Sequence, residues 1–178
     1  MSKPLIETKH LKKYFDTPGG LLHAVDDVNI TIPKGKTLGV VGESGCGKST
    51  FGRVVLRLLE ATSGEVLYDG ENILNYSKEQ MLKMRQKMQI IFQDPYASLN
   101  PRMTVSEIIA EPIRVCKTIT GKQEILDKVD ELMEIVGLAD RFVNTYPHEL
   151  DGGRRQRIGI ARALALNPEF IVCNEPVS

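Results

Sequence analysis

A glycine-rich run between an apolar segment and a helix-like segment constrains this chain most. The run, Gly42-Glu43-Ser44-Gly45-Cys46-Gly47-Lys48-Ser49-Thr50, fits the pattern G-x-x-x-x-G-K-[ST] of phosphate-binding loops. Residues 37–41 before it are short and apolar, which predicts a buried strand, and residues 51–59 after it predict a helix. Strand, loop and helix therefore come in the order that a polyphosphate site needs.

Each part of this run has a predicted role in binding a nucleotide such as ATP. Glycines allow successive backbone N–H groups to turn inward around phosphates, and the N-terminus of the following helix adds a positive partial charge. Lys48 supplies a point charge, and the Ser49 hydroxyl is offered to Mg²⁺. A glycine-rich turn without a ligand is the alternative, but it would not explain why Lys48 and Ser49 follow the last glycine.

Composition and charge exclude several other classes of protein. The 178 residues are 42% hydrophobic and 26% charged, which is typical of a globular domain rather than a disordered chain. Lys plus Arg and Asp plus Glu both number 23, so the overall charge gives no nucleic-acid footprint. No apolar run approaches the ~20 residues that cross a bilayer. We therefore expect a soluble chain that reaches a membrane only through a partner, with Cys46, Cys116 and Cys173 as reduced thiols.

Hydrophobic periodicity predicts a β-rich beginning, an α/β middle and an inserted helical lobe. In the second predicted strand the alternation of Val28, Ile30 and Ile32 indicates one covered face. An Asp69-Gly70 hairpin and a helix capped by Ser77 precede the lobe, and Gly137 is expected to end its second helix. The predicted strands are 5–15, 25–32, 64–68, 71–74, 88–92 and 170–173, and the predicted helices are 77–87, 104–113, 122–136 and 154–166. Residues 94–101 are predicted to be a loop, because two prolines break regular structure there. The predicted domains are a nucleotide-binding core in two parts, 1–93 and an incomplete 158–178, and a helical subdomain at 94–157.

Three further segments add chemistry to the phosphate-binding loop. Gln93 ends an apolar strand, where a neutral amide can orient water or contact Mg²⁺, although a solvated amide is the simpler interpretation. Gly152-Gly153 at a helix start predicts a second anion site, with a solvated basic helix start as the alternative. The apolar strand at 170–173 is expected to be buried, and Asn174-Glu175 follows it. Phosphate-loop enzymes hold Mg²⁺ and activate water at this place, so Glu175 is the candidate general base.

In this order and spacing, the four segments resemble the ATP-binding subunit of ABC transporters. Residues 93–102 and 24–28 look like the oligopeptide/dipeptide importer branch of that family. The resemblance implies an α/β fold: a P-loop NTPase (RecA-like) core with an N-terminal antiparallel β subdomain and an inserted helical subdomain. It also implies an ATPase, with ATP and Mg²⁺ as cofactors, that energises peptide import through a membrane permease.

The resemblance assigns partners and the remaining site residues. A second ATP-binding subunit, identical or not, would pair head to tail with this chain. The nucleotide site of that subunit would be completed by Asp151, Gly152, Gly153 and Arg154 of this chain. Phe15, or next Tyr14, would stack on adenine, with packing against the sheet as the alternative for both. Ser49, Gln93 and Asn174 would surround Mg²⁺, and Gln93 with the helical lobe would touch the permease. These partners place the chain on the cytoplasmic face of the cell membrane, with no direct contact to nucleic acid.

The sequence departs from the family pattern at three places. Asp151 stands where the family has Ser. At about 4 Å from a phosphate and an effective dielectric near 20, the repulsion between its charge and the phosphate is of order 4 kcal/mol. Arg154, which stands where the family has Gln, could partly offset this repulsion. Asn174 stands where the family has a Mg²⁺-binding Asp. The pattern's next strand, which ends in a His, lies past Ser178. We therefore expect weakened ATP-driven closure and Mg²⁺ binding, and a fragment or truncated product with a gap at the centre of the parallel sheet.

Two other functions stay open, and a third is disfavoured. The chain could be a hydrolysis-deficient or truncated nucleotide-binding paralogue, as Asp151, Asn174 and the missing His suggest. It could also be a non-transport ABC ATPase that acts on DNA or ribosomes, although residues 93–102 and the balanced charge argue against this. A small-molecule kinase is disfavoured because such an enzyme has no use for the Gly152-Gly153 helix start.

Overall fold

Residues 3–174 are described by a computed structural model, and the chain divides into two units, Met1–Leu82 and Lys83–Ser178. The described strands are β1 (Pro4–Thr17), β2 (Gly20–Pro33), β3 (Ser63–Tyr68), β4 (Glu71–Asn72), β5 (Met88–Ile91) and β6 (Phe170–Cys173). The described helices are α1 (Lys48–Val55), α2 (Lys78–Lys87), α3 (Pro95–Ser98), α4 (Val105–Cys116), α5 (Lys122–Ile135) and α6 (Gly152–Leu164). No helix within residues 3–174 is long and apolar enough to cross a membrane.

An antiparallel sheet in the order β2-β1-β3-β4 forms the first unit. The alternation that predicted one covered face of β2 is confirmed, because Ile32 is buried while its neighbour Thr31 is exposed. The Asp69-Gly70 hairpin is also confirmed, and both residues adopt the positive φ (50° and 89°) that such a tight turn requires. Strand β4 is shorter than predicted, because a 3₁₀ turn begins at Ile73 and the Asn72 side chain accepts a hydrogen bond from its backbone.

The segment before the phosphate-binding loop corrects one prediction. Residues 37–41 were predicted to be a buried strand, but they form no strand, and Val41 is 93% exposed. Leu38 and Val40 are exposed as well. A strand needs a neighbour for its N–H and C=O groups, and the sheet of the first unit joins only β1 to β4. Apolar side chains alone therefore do not make residues 37–41 a strand in this structure.

Helix α1 follows the loop and contributes to the core of the first unit. It begins at Lys48, three residues earlier than predicted, and packs against β1 and β2. Val54 and Val55 are almost fully buried, while Arg53 lies in the last turn, where a cation is favourable. The loop is thus attached at its carboxyl end to a helix that is anchored by its apolar face.

Helices α4, α5 and α6 enclose the core of the second unit. Thr104 begins α4 with a capping box in which Glu107 takes part, and the helix continues to Cys116, beyond the predicted end at 113. The predicted end of α5 is confirmed, since Gly137 has a φ of 68°. The buried cluster consists of Leu99, Val105, Ile108, Ile109, Ala110, Ile113, Ile125, Val129, Leu132, Met133, Leu138, Leu150, Ile158, Ala161 and Ala165.

A parallel pair, β5 and β6, completes the second unit, with Met88 opposite Phe170 and Ile91 opposite Cys173. The predicted strand at 170–173 is confirmed, but its predicted burial was wrong, because its first three residues are half-buried and Cys173 is exposed. A strand with one described neighbour keeps an open edge. The predicted loop at 94–101 was also partly wrong, because it contains α3, which Asp94 caps through its side chain.

Candidate functional site

Glycines shape the phosphate-binding loop in the first unit. Gly45 and Gly47 have φ values of 81° and 97°, a conformation that other residues rarely adopt. A Cβ atom on Gly47 would lie 2.0 Å from the backbone oxygen of Ala24 in β2. The end of the loop is therefore pressed against β2 at a point where no side chain fits.

Lys48 folds back across the loop that it follows. Its Nζ donates hydrogen bonds to the backbone oxygens of Gly42 at 2.7 Å and Glu43 at 2.8 Å, and it lies 3.8 Å from the Cys46 sulfur. The Cys46 Sγ atom would also meet a Cβ placed on Gly42, at 2.6 Å. The ammonium group thus interacts with loop carbonyls, which a phosphate oxygen can replace as a stronger partner.

The N-terminus of α1 faces no acidic side chain of its own first turn. Gly47 is the N-cap and supplies no side-chain acceptor, and the first turn contains Lys48, Ser49 and Thr50. The N-terminal end of a helix attracts anions through its backbone N–H groups and its dipole. Positive-φ glycines, a lysine and an uncapped helix start are a donor set that fits a polyphosphate.

The two candidate aromatic residues on β1 have different surroundings. The Tyr14 ring stacks on His23, with centroids 3.9 Å apart, and its hydroxyl donates to the Asp26 carboxylate. This hydrogen bond raises the pKa of Tyr14 and lowers the pKa of Asp26. Phe15 is half-buried opposite Leu22. Both rings are in contact with a neighbour, since the Lys13 ammonium lies 4.8 Å from the centre of the Phe15 ring. The stack and the hydrogen bond of Tyr14 are the closer contacts, which favours Phe15 as the ring for adenine.

Asp151 and Arg154 interact with each other at the start of α6. The helix begins at Gly152, two residues earlier than predicted, so both glycines lie in its first turn. The Asp151 carboxylate accepts a hydrogen bond from the Arg154 backbone N–H at 2.8 Å and also pairs with the Arg154 guanidinium. Both side chains are partly exposed, and the Arg154 guanidinium lies 4.9 Å from the centre of the Phe142 ring.

Gly152 has no steric reason to be glycine within the described chain. A Cβ there would meet no heavy atom within 4 Å, and on Gly153 it would make an ordinary 3.5 Å contact with Asp151. Neither residue has the positive φ that marks Gly47. The fold of the described chain thus requires glycine at position 47 but not at positions 152 and 153.

Two arginines of α6 were missed by the sequence analysis. Arg155 was included in a solvated basic helix start, but it is only 6% exposed and its guanidinium stacks on the Tyr96 ring at 3.6 Å. Arg162 donates from Nη1 to the Ser98 backbone oxygen at 2.6 Å, and burial lowers the pKa of its guanidinium. Their spacing of seven residues, two helical turns, was the available signal of a shared face.

Strand ends bring Gln93 and Asn174 to the same edge of the second unit. Strands β5 and β6 run in parallel, and the Asn174 backbone N–H donates to the Ile91 oxygen at 3.0 Å. Gln93 is exposed two residues beyond Ile91. The third predicted Mg²⁺ ligand, Ser49, belongs to the first unit, and the predicted general base, Glu175, lies outside the described residues.

Comparison with known protein families gives a match that covers most of the chain. A family model described as ABC transporter matches residues 25–178. The chain belongs to the ABC transporter family. The resemblance seen in the four sequence segments is thereby confirmed.

The names of similar proteins agree with the oligopeptide branch of the family that the sequence predicted. The chain is 58% identical to the oligopeptide transport ATP-binding protein OppF of Bacillus subtilis (strain 168), with 100% of this chain and 59% of that protein covered. It is 49% identical to OppF of Salmonella typhimurium (strain LT2), with 99% of this chain and 55% of that protein covered. The chain thus spans little more than half the length of these relatives.

Solved structures confirm the predicted fold class. The dimeric post-hydrolysis structure of the ATP-binding cassette MJ0796, bound to ADP and Pi, superposes with a TM-score of 0.90 at 30% identity. That match covers 97% of this chain and 74% of the other. The cbiO1 protein of Clostridium perfringens superposes with a TM-score of 0.78 at 25% identity, over 97% of this chain and 65% of the other. The chain has the α/β fold of ABC ATPases.

Proposed function

We propose that the chain is the nucleotide-binding part of an ATPase subunit that energises the import of oligopeptides or dipeptides through a membrane permease. The observation that carries this proposal is the phosphate-binding loop, in which Lys48 bonds to loop carbonyls below an uncapped helix start. The relatives' names support peptides as the transported substrate. Because the chain spans little more than half the length of these relatives, we expect the complete activity to need a longer protein.

ATP fits the donor set of the first unit. Its phosphates would lie against the backbone of residues 42–50, and Lys48 would leave the carbonyls of Gly42 and Glu43 for phosphate oxygens. Phe15 would stack on the adenine ring, and Ser49, Gln93 and Asn174 would hold Mg²⁺. When bound, the metal ion neutralises charge on the phosphates. Glu175 would receive a proton from the attacking water as general base.

A second ATP-binding subunit would meet the start of α6. Gly152 has no steric reason to be glycine within the described chain, which supports a surface that a partner approaches closely. In the proposed dimer, residues 151–154 would face the nucleotide of the other subunit, identical or not. The assembled protein would then lie at the cytoplasmic face of the membrane, held there by the permease and without direct contact to nucleic acid.

Calorimetric titration with Mg²⁺-ATP tests the proposed nucleotide site. Removal of Lys48 in Lys48→Ala takes away a charged hydrogen bond to phosphate worth about 2–3 kcal/mol, so affinity is expected to fall about 30- to 150-fold. Lys36→Ala is the matched control, because Lys36 lies exposed in the turn before the loop. Equal affinities of Lys48→Ala and the unmodified chain would contradict the proposed site.

A hydrolysis-deficient nucleotide-binding subunit is the second candidate function. The use of Asp151 as helix cap and ion-pair partner favours it, because this carboxylate cannot donate a hydrogen bond to a phosphate. Asn174 favours it as well, since an amide lacks the charge that Mg²⁺ prefers. The double variant Asp151→Ser, Asn174→Asp is expected to raise ATP turnover about tenfold or more, because it restores a hydrogen-bond donor and a Mg²⁺-binding charge. Turnover that is already high before these substitutions would exclude the deficient subunit.

A further inference from the structure

Two arginines on one face of α6 reach the same short helix, α3. Arg155 and Arg162 are two helical turns apart, so their side chains leave α6 on the same side. The Arg155 guanidinium covers the Tyr96 ring at 3.6 Å, and Arg162 donates to the Ser98 backbone oxygen at 2.6 Å. All of these residues belong to the second unit. Helix α3 is therefore attached to α6 near both of its ends.

Arg155 is a poor choice for stability alone. It is 6% exposed, its Nε donates to the Pro147 oxygen at 2.6 Å, and Nη2 reaches the His148 oxygen at 3.5 Å. Its Nη1 atom is buried without a hydrogen-bond partner among residues 3–174. Burying a cation with an unsatisfied N–H group is unfavourable, and an apolar side chain of similar volume is often as stable or more so. The arginine is better explained by the geometry that it imposes.

The attachment joins two segments that both have a proposed function. Helix α3 follows Gln93 directly, and the Asp94 side chain caps it. Helix α6 begins with Gly152 and Gly153 and carries both arginines. One face of the Tyr96 ring meets Arg155, while the residue is 66% exposed. The Arg155 guanidinium and the Ser98 carbonyl thus connect the exposed surface of α3 to α6.

We propose that Arg155 and Arg162 are positioning residues that form a two-point clamp, making α3 and the start of α6 move as one body. This inference rests on the proposed function, in which the segment after Gln93 meets the permease and the start of α6 meets the partner's nucleotide. The clamp makes the position of the α6 start relative to the partner's nucleotide depend on the contact between α3 and the permease. Arg155 provides a planar surface for the Tyr96 ring, which a lysine ammonium does not provide.

Backbone dynamics test the clamp without nucleotide or partner. In the unmodified chain, NMR order parameters of Ala97 and Ser98 are expected to equal those of α6, about 0.85. In Arg155→Met and in Tyr96→Leu the order parameter of Ala97 should fall below about 0.6, while Tyr96→Phe, which keeps the ring, should retain the original values. Ser98 should change less, because Arg162 still donates to its backbone oxygen. Arg157→Met is the matched control, because Arg157 lies on the same helix but donates to the Gly137 oxygen at 2.8 Å. Unchanged order parameters in Arg155→Met, or an equal fall in Arg157→Met, would overturn the clamp.

The functional role is measured on the subunit assembled with its permease in detergent. Arg155→Met is expected to keep the ATP dissociation constant within about twofold and to lose the permease-dependent stimulation of turnover, and Arg155→Lys should lose most of it. The double variant Arg155→Met, Tyr96→Leu should lose no more than either single variant, because both remove the same contact. Stimulation that survives in Arg155→Met would overturn the transmitting role. A chain that binds no ATP would instead refute the proposed function, while the order parameters still decide the clamp.

Discussion

The phosphate-binding loop and the start of α6 differ in how well each matches the family pattern and in how many contacts each makes with the rest of the chain. The loop matches its pattern residue by residue, yet residues 37–41 before it form no strand, and Lys48 bonds only to the loop itself among its described contacts. The start of α6 departs from the family pattern at Asp151 and Arg154, yet these two side chains bind each other, and Arg155 beside them is buried. The match of the loop to its pattern thus indicates which residues a ligand requires, whereas the contacts at the start of α6 indicate which residues the fold requires.

The largest expected effect separates the glycines of the two regions. Gly47→Ala places a Cβ 2.0 Å from the Ala24 oxygen at a φ of 97°, so the loop must leave β2. Crowding against a backbone atom and a left-handed conformation together should cost about 3 kcal/mol of unfolding free energy and abolish ATP binding. Denaturant unfolding and calorimetry measure both. Full stability of Gly47→Ala would show that the loop is not pressed against β2.

A smaller effect is expected when the charges at the start of α6 are separated. Arg154→Gln leaves the Asp151 carboxylate without its cation. In the proposed dimer this carboxylate faces the partner's nucleotide, so ATP-dependent association of two copies should weaken about tenfold, or 1.4 kcal/mol. Arg154→Gln together with Asp151→Ser should restore it. Unfolding free energies should change by less than about 1 kcal/mol for Arg154→Gln, because the pair is partly exposed. Sedimentation velocity with and without Mg²⁺-ATP measures association. Association of the double variant that is as weak as that of Arg154→Gln would refute the compensation.

The smallest effect concerns Gly152. Because an added Cβ would meet no described atom, Gly152→Ala should stabilise the isolated chain by about 0.4–1 kcal/mol, since alanine has less conformational freedom in the unfolded chain. Association with a second copy should nevertheless become weaker. Denaturant unfolding and sedimentation of the same sample measure the two effects. A stability loss in Gly152→Ala would mean that the fold itself needs this glycine, and the difference from Gly47 would disappear.

Most of the fold could be predicted from local patterns, and the errors have common physical causes. Alternation identified β2, turn chemistry identified the hairpin at Asp69-Gly70, and Gly137 marked the end of α5. Residues 37–41 were mispredicted because strand formation depends on a neighbouring strand, which the apolar run itself does not encode. Helix α3 was missed because two prolines outweighed the capping signal of Asp94.

The candidate site could be predicted where a ligand dictates the residues, and less well where the protein's own contacts do. The loop from Gly42 to Thr50 follows from the needs of a phosphate. Arg155 escaped the sequence analysis because an arginine near a helix start is usually solvated, and only its stacking on Tyr96 explains its burial. Choosing between Tyr14 and Phe15 required the contacts of Tyr14 with His23 and Asp26.

We propose that a single chain binds ATP at its phosphate-binding loop, whereas the start of α6 contacts nucleotide only in a dimer. Titration of the ¹⁵N-labelled chain with Mg²⁺-ATP at low protein concentration, followed by amide chemical shifts, tests it most directly. We expect the largest shifts within residues 42–50, because Lys48 leaves the carbonyls of Gly42 and Glu43, and little change at residues 152–155. Shifts at residues 152–155 with none at residues 42–50 would contradict it.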